Sequence, residues 1–182
     1  MSRMTEVASL HTDDLTPSDT ATIRGLLDAA FEGRFDEHDW EHATGGRHVV
    51  VRASGVIVAH GAVVPRRMWV GGDEHHVGYV EAVATEPDAQ GRGLGSSLMR
   101  TLTDEILARH RIGVLSTGAW GFYERLGWQR WRGPTSIRLR NGEVVRTPEE
   151  EEEEDGIMVM ATAGELDLGA TITCAERAGD DW

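Results

Sequence analysis

A single cysteine, Cys174, stands in a chain of 182 residues, so no internal disulfide can form. No motif around it marks a nucleophile, and a thiol in that setting reads as a packed core group. Long apolar runs are missing as well: none reaches the roughly 18 residues that a membrane helix needs. The first ten residues lack the basic start and apolar stretch of a secretory leader. Together these absences predict a cytoplasmic location. Positive charge is scarce, with 18 Lys and Arg against 31 Asp and Glu and a net charge of -13. Nucleic acids need a basic surface, so neither a nucleic acid nor a membrane is expected as partner. The same imbalance would steer a cationic small molecule toward the protein. Eight histidines are present, yet His75-His76 and the pair His38 and His42 have no third ligand at metal-binding spacing, and no metal is expected.

What the chain does hold is 40% hydrophobic residues, enough to bury the core of one domain, expected to span residues 1–182 without linker or repeat. The first ten residues read as an extended arm. Ile23, Leu26, Leu27, Ala30 and Phe31 recur at helical spacing, with Asp14, Thr16 or Ser18 as candidate cap. Residues 33–46 read as a polar loop. Strands are expected over residues 48–52, 56–65, 68–70 and 77–84, with turns at Ser54-Gly55 and Gly71-Gly72-Asp73. Leu98, Leu102, Ile106 and Leu107 mark one face of a helix over residues 95–110. A strand over 112–116 follows, then a short helix over 120–126 closed by Gly127. Further strands are expected over 128–131, 136–139, 157–161 and 170–174, and residues 149–155 are an unbroken acidic run.

Between an expected strand and an expected helix lies Gln90-Gly91-Arg92-Gly93-Leu94-Gly95. Glycine lets a backbone approach a ligand closely and visit positive φ. The start of a helix offers unpaired N–H groups and the positive end of a dipole, which together bind phosphate. The segment therefore reads as a pyrophosphate cradle. It is not a dinucleotide fingerprint, which follows the first strand of a βαβ unit and wants an acidic residue about 20 positions on. Nor is it a P-loop, because no lysine stands in the segment.

A strand, then Gln-x-x-Gly-x-Gly, then a helix resembles the acyl-CoA signature of the GNAT acetyltransferase superfamily. Here it is Gln90, Gly93 and Gly95, preceded by Gly78-Tyr79-Val80-Glu81-Ala82-Val83-Ala84. Phe122-Tyr123-Glu124-Arg125-Leu126-Gly127-Trp128 is similar to a second GNAT segment. Asp39-Trp40-Glu41-His42, Gly45-Gly46, Gly133-Pro134-Thr135-Ser136, Arg146-Thr147-Pro148 and Arg177-Ala178-Gly179-Asp180-Asp181-Trp182 resemble the actinobacterial aminoglycoside 2′-N-acetyltransferases over nearly the whole chain. The resemblance implies a single-domain α/β GNAT fold, with a mixed, mostly antiparallel, splayed sheet flanked by helices. It also implies acetyl-CoA as cosubstrate, a homodimer, and acetylation of an aminoglycoside 2′-amino group that confers resistance.

On a regular strand Tyr79, Glu81 and Val83 share a face. The resemblance implies that Glu81 is the general base, acting through water; the plain alternative is a strand carboxylate paired with a cation. It implies that Tyr123 protonates the departing thiolate; the alternative is a packed aromatic. The segment from Ser116 to Tyr123 is shorter than the family pattern and carries Trp120, which leaves the placement of Tyr123 open. Backbone groups of Ala82, Val83 and Ala84 would pair with pantetheine amides as an added strand does. Gln90, Gly91, Gly93, Gly95 and Ser96 would hold the pyrophosphate, while Arg92 either adds charge or is simply exposed.

A polycationic sugar calls for carboxylates and carbonyls. The resemblance points to Asp39, to one or two members of the acidic run over residues 149–155 with Glu150 first, to Asp180, and to Trp182 with its carboxylate, with a Ser116 carbonyl near the acceptor amine. The acidic run otherwise reads as a solvated loop. Arg34 stands where the family places an aspartate. A cation there, together with the altered segment that brings Trp120 to the substrate side, suits a substrate with a carboxylate beside its amines, such as kasugamycin; the alternative is an arginine facing solvent. Two other functions stay open: a catalytically silent acyl-CoA sensor, against which Glu81 and Tyr123 argue, and a GNAT enzyme acting on peptide N-termini, against which the acidic run and the Asp180-Asp181-Trp182 ending argue.

Overall fold

The computed structural model describes residues 5–148, 155–161 and 166–182. The order is β1 (Thr5–His11), α1 (Pro17–Ala30), α2 (Glu37–His42), β2 (Arg47–Ala53), β3 (Val56–Val70), β4 (Asp73–Thr85), α3 (Leu94–Arg109), β5 (Ile112–Thr117), α4 (Trp120–Glu124), β6 (Gln129–Arg130), β7 (Thr135–Arg138), β8 (Val144–Arg146), β9 (Gly156–Ala161) and β10 (Ile172–Ala175). Short 3-10 turns lie at Thr12–Asp14 and Pro87–Ala89. Contacts gather the chain into two compact units, Met1–Val64 with Val80–Glu105 and Pro65–Tyr79 with Ile106–Trp182. β3, β4 and α3 each pass from one unit to the other.

In the first unit Thr16 caps α1. Its Oγ1 accepts from the Asp19 amide at 3.1 Å, Asp19 returns a bond to the Thr16 amide, and Pro17 pre-sets the first turn. Arg52 sits 2.6 Å from Asp19 and holds that carboxyl below its ordinary range, which ties α1 to β2. The expected arm is a strand: β1 pairs antiparallel with β2 from Thr5↔Ala53 to His11↔Arg47. β2 and β3 form a hairpin through Ser54 and Gly55, both left-handed at φ 53 and 84. A register shift at Val51/Arg52 inserts one extra residue into β3 and exchanges the faces of the residues on either side. On one face Ile23, Leu26 and Leu27 of α1 pack on Val50, Ile57 and Ala84. On the other, α3 comes close enough that a Cβ at Gly61 would stand 2.7 Å from Leu102 Cδ1. The expected loop over 33–46 contains α2, opened by a reciprocal cap between Asp36 and Asp39. Leu107, expected on the core face of α3, is 48% exposed.

The second unit holds the strand order β6-β9-β5-β4-β3-β10-β7-β8. β3 runs through Pro65 and merges two expected strands into one. Its partner is β2 as far as Val63 and β10 from Met68, so Pro65 falls where one ladder gives way to the next. β4 pairs with β5 in parallel at Gly78↔Gly113 and Tyr79↔Val114, a geometry that needs the long crossover supplied by α3. β5 and β9 are antiparallel from Ile112↔Ala161 to Thr117↔Gly156. Cys174 of β10 is fully buried, and burial pushes its thiol up to about 12. Among the described residues no helix is long and apolar enough to cross a membrane, and no group of three His, Cys, Asp or Glu could hold a metal.

Two fully buried histidines in the first unit, His48 and His60, are held neutral by burial, which pushes them down to about 4 and about 3. Above their ordinary value of 6.5 both folded and unfolded chains keep these rings uncharged. As pH falls through it, the unfolded chain takes up protons that the folded rings refuse. Stability should therefore drop with acid by roughly 1.4 kcal/mol per pH unit for each ring. Denaturant midpoints at neutral and at mildly acid pH check this, and equal midpoints would contradict the neutral burial.

Candidate active site

In the first unit β4 carries Glu81, half-buried, followed by Ala82 at φ 52. A left-handed residue breaks the two-residue alternation, so the shared face expected for Tyr79, Glu81 and Val83 does not follow from regular pleating. Ala82 and Ala84 lie toward the α1 cluster, whereas Val83 lies toward Gly61 and α3. The Ala82 carbonyl accepts from His60 Nδ1 at 2.9 Å.

Beyond β4 the chain turns through Pro87–Ala89 into the glycine segment. Gln90 Nε2 donates to the Thr85 carbonyl at 3.2 Å, which ties the segment to the end of the strand. Gly91 and Gly93 are left-handed at φ 72 and 78, and α3 begins at Leu94 with Gly95 and Ser96 in its first turn. A Cβ at Gly91 or Gly93 would meet nothing within 4 Å. Exposed main chain thus borders open space beside a helix start, which fits an anionic diphosphate. Arg92 is exposed between the two glycines.

In the second unit a depression of about 410 Å³ is lined by Ser116, Trp120, Asp155, Asp180 and Trp182, and by the Trp131–Thr135 and Arg146-Thr147 segments. The β5–β9 ladder places Ser116 opposite Ile157. Trp120 lies against Gly156 so closely that a Cβ there would stand 2.3 Å from its ring, and Arg130 covers the indole at 4.0 Å. The last residues are bound down. Arg66 Nη2 donates to the Asp181 carbonyl at 2.9 Å, and Arg177 Nε to the Asp180 carbonyl at 2.6 Å. Trp182 Nε1 donates to Thr147 Oγ1 at 2.9 Å. Arg66 and Arg177 both stand over the Tyr79 ring, at 4.6 and 5.7 Å.

Four expected substrate residues, Ser116, Trp120, Asp180 and Trp182, therefore meet in one depression. Tyr123 is buried in α4, edge-on to Phe122 and Trp128, and burial pushes its phenol up to about 12. It keeps its proton at neutral pH. Asp39 and Arg34 belong to the first unit. Asp39 Oδ2 accepts from the Asp36 amide at 2.8 Å, and Arg34 Nε donates to the Phe31 carbonyl at 3.3 Å, at the end of α1. Glu150 lies outside the described residues. Asp155, which also lines the depression, belongs to the acidic run from which one or two members were expected at the substrate, with Glu150 placed first; Arg132 lines it without having been singled out, and Gly133-Pro134 and Arg146-Thr147 stood only among the motifs of resemblance.

Comparison with known proteins gives a match to the acetyltransferase (GNAT) domain over residues 11–131. An aminoglycoside 2′-N-acetyltransferase of Mycolicibacterium fortuitum is 41% identical over 176 residues, 95% of this chain and 90% of the relative. Among solved structures, a GNAT family acetyltransferase from Brucella melitensis in complex with acetyl-CoA superposes with a TM-score of 0.63 at 21% identity, over 97% of each chain. Escherichia coli ElaA superposes with a TM-score of 0.62 at 16% identity, covering 86% of this chain and 99% of that one.

Proposed function

We propose a function from one premise: the chain belongs to the GNAT acetyltransferases, and within them to the aminoglycoside 2′-N-acetyltransferase family. GNAT acetyltransferases take acetyl-CoA as cosubstrate. The open main chain at Gly91 and Gly93 fits its diphosphate, and the backbone of Ala82 to Ala84 is assigned to its pantetheine arm. The acceptor is an aminoglycoside, acetylated at its 2′-amino group. The observation that carries this is the depression of about 410 Å³ bearing the Asp155 and Asp180 carboxylates, in a chain so close to such a relative. That volume suits a small ligand, for which roughly 300–1,000 Å³ is usual.

In the reaction the amine nitrogen bonds to the acetyl carbon and the carbon–sulfur bond breaks. Glu81 receives the amine proton through water, and Tyr123 donates to the departing thiolate. Acetylation removes a positive charge from the antibiotic, and the enzyme would confer resistance as a cytoplasmic homodimer.

The finer reading is a substrate bearing a carboxylate beside its amines, of the kasugamycin kind. Arg34 motivates it, and Arg132 and Arg146, set among the acidic groups of the depression, support it independently. Thiol release from acetyl-CoA is the test, with kasugamycin, gentamicin, tobramycin and a peptide N-terminus as acceptors. Turnover of kasugamycin above the other two antibiotics is expected. Fast turnover of gentamicin or tobramycin with none of kasugamycin overturns the finer reading, and acetylation of the peptide alone overturns the aminoglycoside reading altogether.

A further inference from the structure

Thr12, His48 and His60 form a file of hydrogen bonds in the first unit that runs from the half-buried Thr12 into the core. Thr12 Oγ1 lies 2.9 Å from His48 Nε2, His48 Nδ1 lies 2.9 Å from His60 Nε2, and His60 Nδ1 lies 2.9 Å from the Ala82 carbonyl oxygen. The two histidines occupy one face of the β2–β3 ladder, where His48 opposes Ala62 and His60 opposes Val50. Both rings are 0% exposed.

Only one direction satisfies every link. A carbonyl can only accept, so His60 Nδ1 carries the proton. A neutral ring has one donor, which makes His60 Nε2 an acceptor and His48 Nδ1 a donor. His48 Nε2 then accepts from the Thr12 hydroxyl, which lies nearer to it, at 2.9 Å, than to the competing Gly46 carbonyl at 3.3 Å, and whose oxygen takes the Gly45 amide at 3.0 Å. The file ends on an unusual residue. Among the described residues three besides glycine have positive φ; Glu32 and Ser54 sit in turns, and only Ala82 lies inside a strand. Left-handed alanine is unfavourable unless its surroundings hold it. It directly follows Glu81 and opens the stretch assigned to the pantetheine arm.

We propose that His60, oriented by His48 and Thr12, is a positioning residue for acetyl transfer: its Nδ1–H grips the Ala82 carbonyl and fixes the left-handed backbone that follows Glu81. The inference rests on the functional reading above for the identity of the reaction, and on the hydrogen-bond file for the rest.

Long-range proton–nitrogen spectra of histidine-labelled protein read the file directly. Two of the eight histidines should be Nδ1–H tautomers that stay neutral through the physiological range; an Nε2–H tautomer at either ring overturns the file. Kinetics read the positioning. His60→Leu should lower kcat about tenfold or more with acceptor KM within about twofold, as loss of alignment does. His60→Asn, whose amide can still donate to Ala82, should recover most of the rate. Adding Ala82→Gly to His60→Leu should also restore it, because glycine adopts positive φ unaided. Equal rates for the Leu and Asn variants, or no gain from glycine, would overturn the positioning role. If the wild-type protein acetylates no amine, the rates expose the failure of the functional reading, while a wrong tautomer exposes failure of the file alone.

Discussion

Glu81→Gln is expected to lower kcat by about 10²–10⁴-fold, the range for loss of a general base, and to leave coenzyme A affinity near its wild-type value. Glutamine keeps the size and most of the hydrogen bonding of glutamate but cannot take up a proton at neutral pH. The amine acceptor arrives largely as ammonium, so every turnover must dispose of a proton before nitrogen can attack. Without a base this falls to bulk solvent, and the barrier rises by about 3–5 kcal/mol. Saturating kinetics measure the first quantity and calorimetric titration with coenzyme A the second. A variant with undiminished kcat would remove Glu81 from the chemistry while leaving the family assignment in place. A parallel collapse of coenzyme A binding would recast Glu81 as a structural support of β4.

Gly93→Val should weaken coenzyme A binding by at least ~10²-fold, about 2.7 kcal/mol. Gly93 has φ 78, a region in which a β-branched residue is an outlier. Valine would either strain the turn or swing it to negative φ, and both re-aim the main-chain amides around it. Its side chain would also stand over the surface on which the diphosphate is placed. The surroundings are open, with nothing within 4 Å of a Cβ, so thermal stability should change far less than affinity. That contrast separates a damaged cradle from a damaged fold. Unaltered affinity would contradict the cradle.

What could be read in the sequence was what depends on local geometry. The two glycines announced themselves because positive φ is a demand on a single residue, and Gly91 and Gly93 both meet it. The turn at Ser54-Gly55 was legible for the same reason. α2 was not: Glu37-His38-Asp39-Trp40-Glu41-His42 has no apolar period, and the helix is secured by an end cap and by Trp40 packing near the α1 cluster. β1 exists because β2 offers it a partner about forty residues further on, as in Thr5↔Ala53. The alternation argument on β4 does not carry past Ala82, since a valine-rich strand gives no sign of a left-handed alanine within it. In the depression, Ser116, Asp180 and Trp182 were found through resemblance, and Trp120 through the departure from it. Arg132 was passed over, and neither Arg146 in its motif nor Asp155 in the acidic run was picked out from its neighbours, because their convergence depends on β7, β8 and β9 coming together. His48 and His60 look in sequence like any other residues of two apolar strands.

The burial of Cys174 makes the enzyme convenient to assay. At mildly alkaline pH only ~10⁻⁴ of a thiol with such a high pKa is in its reactive form, and the side chain is shielded from solvent besides. A chromogenic disulfide dye added to the cuvette will therefore report free coenzyme A as it accumulates, with no background colour from the protein itself even at high enzyme concentration.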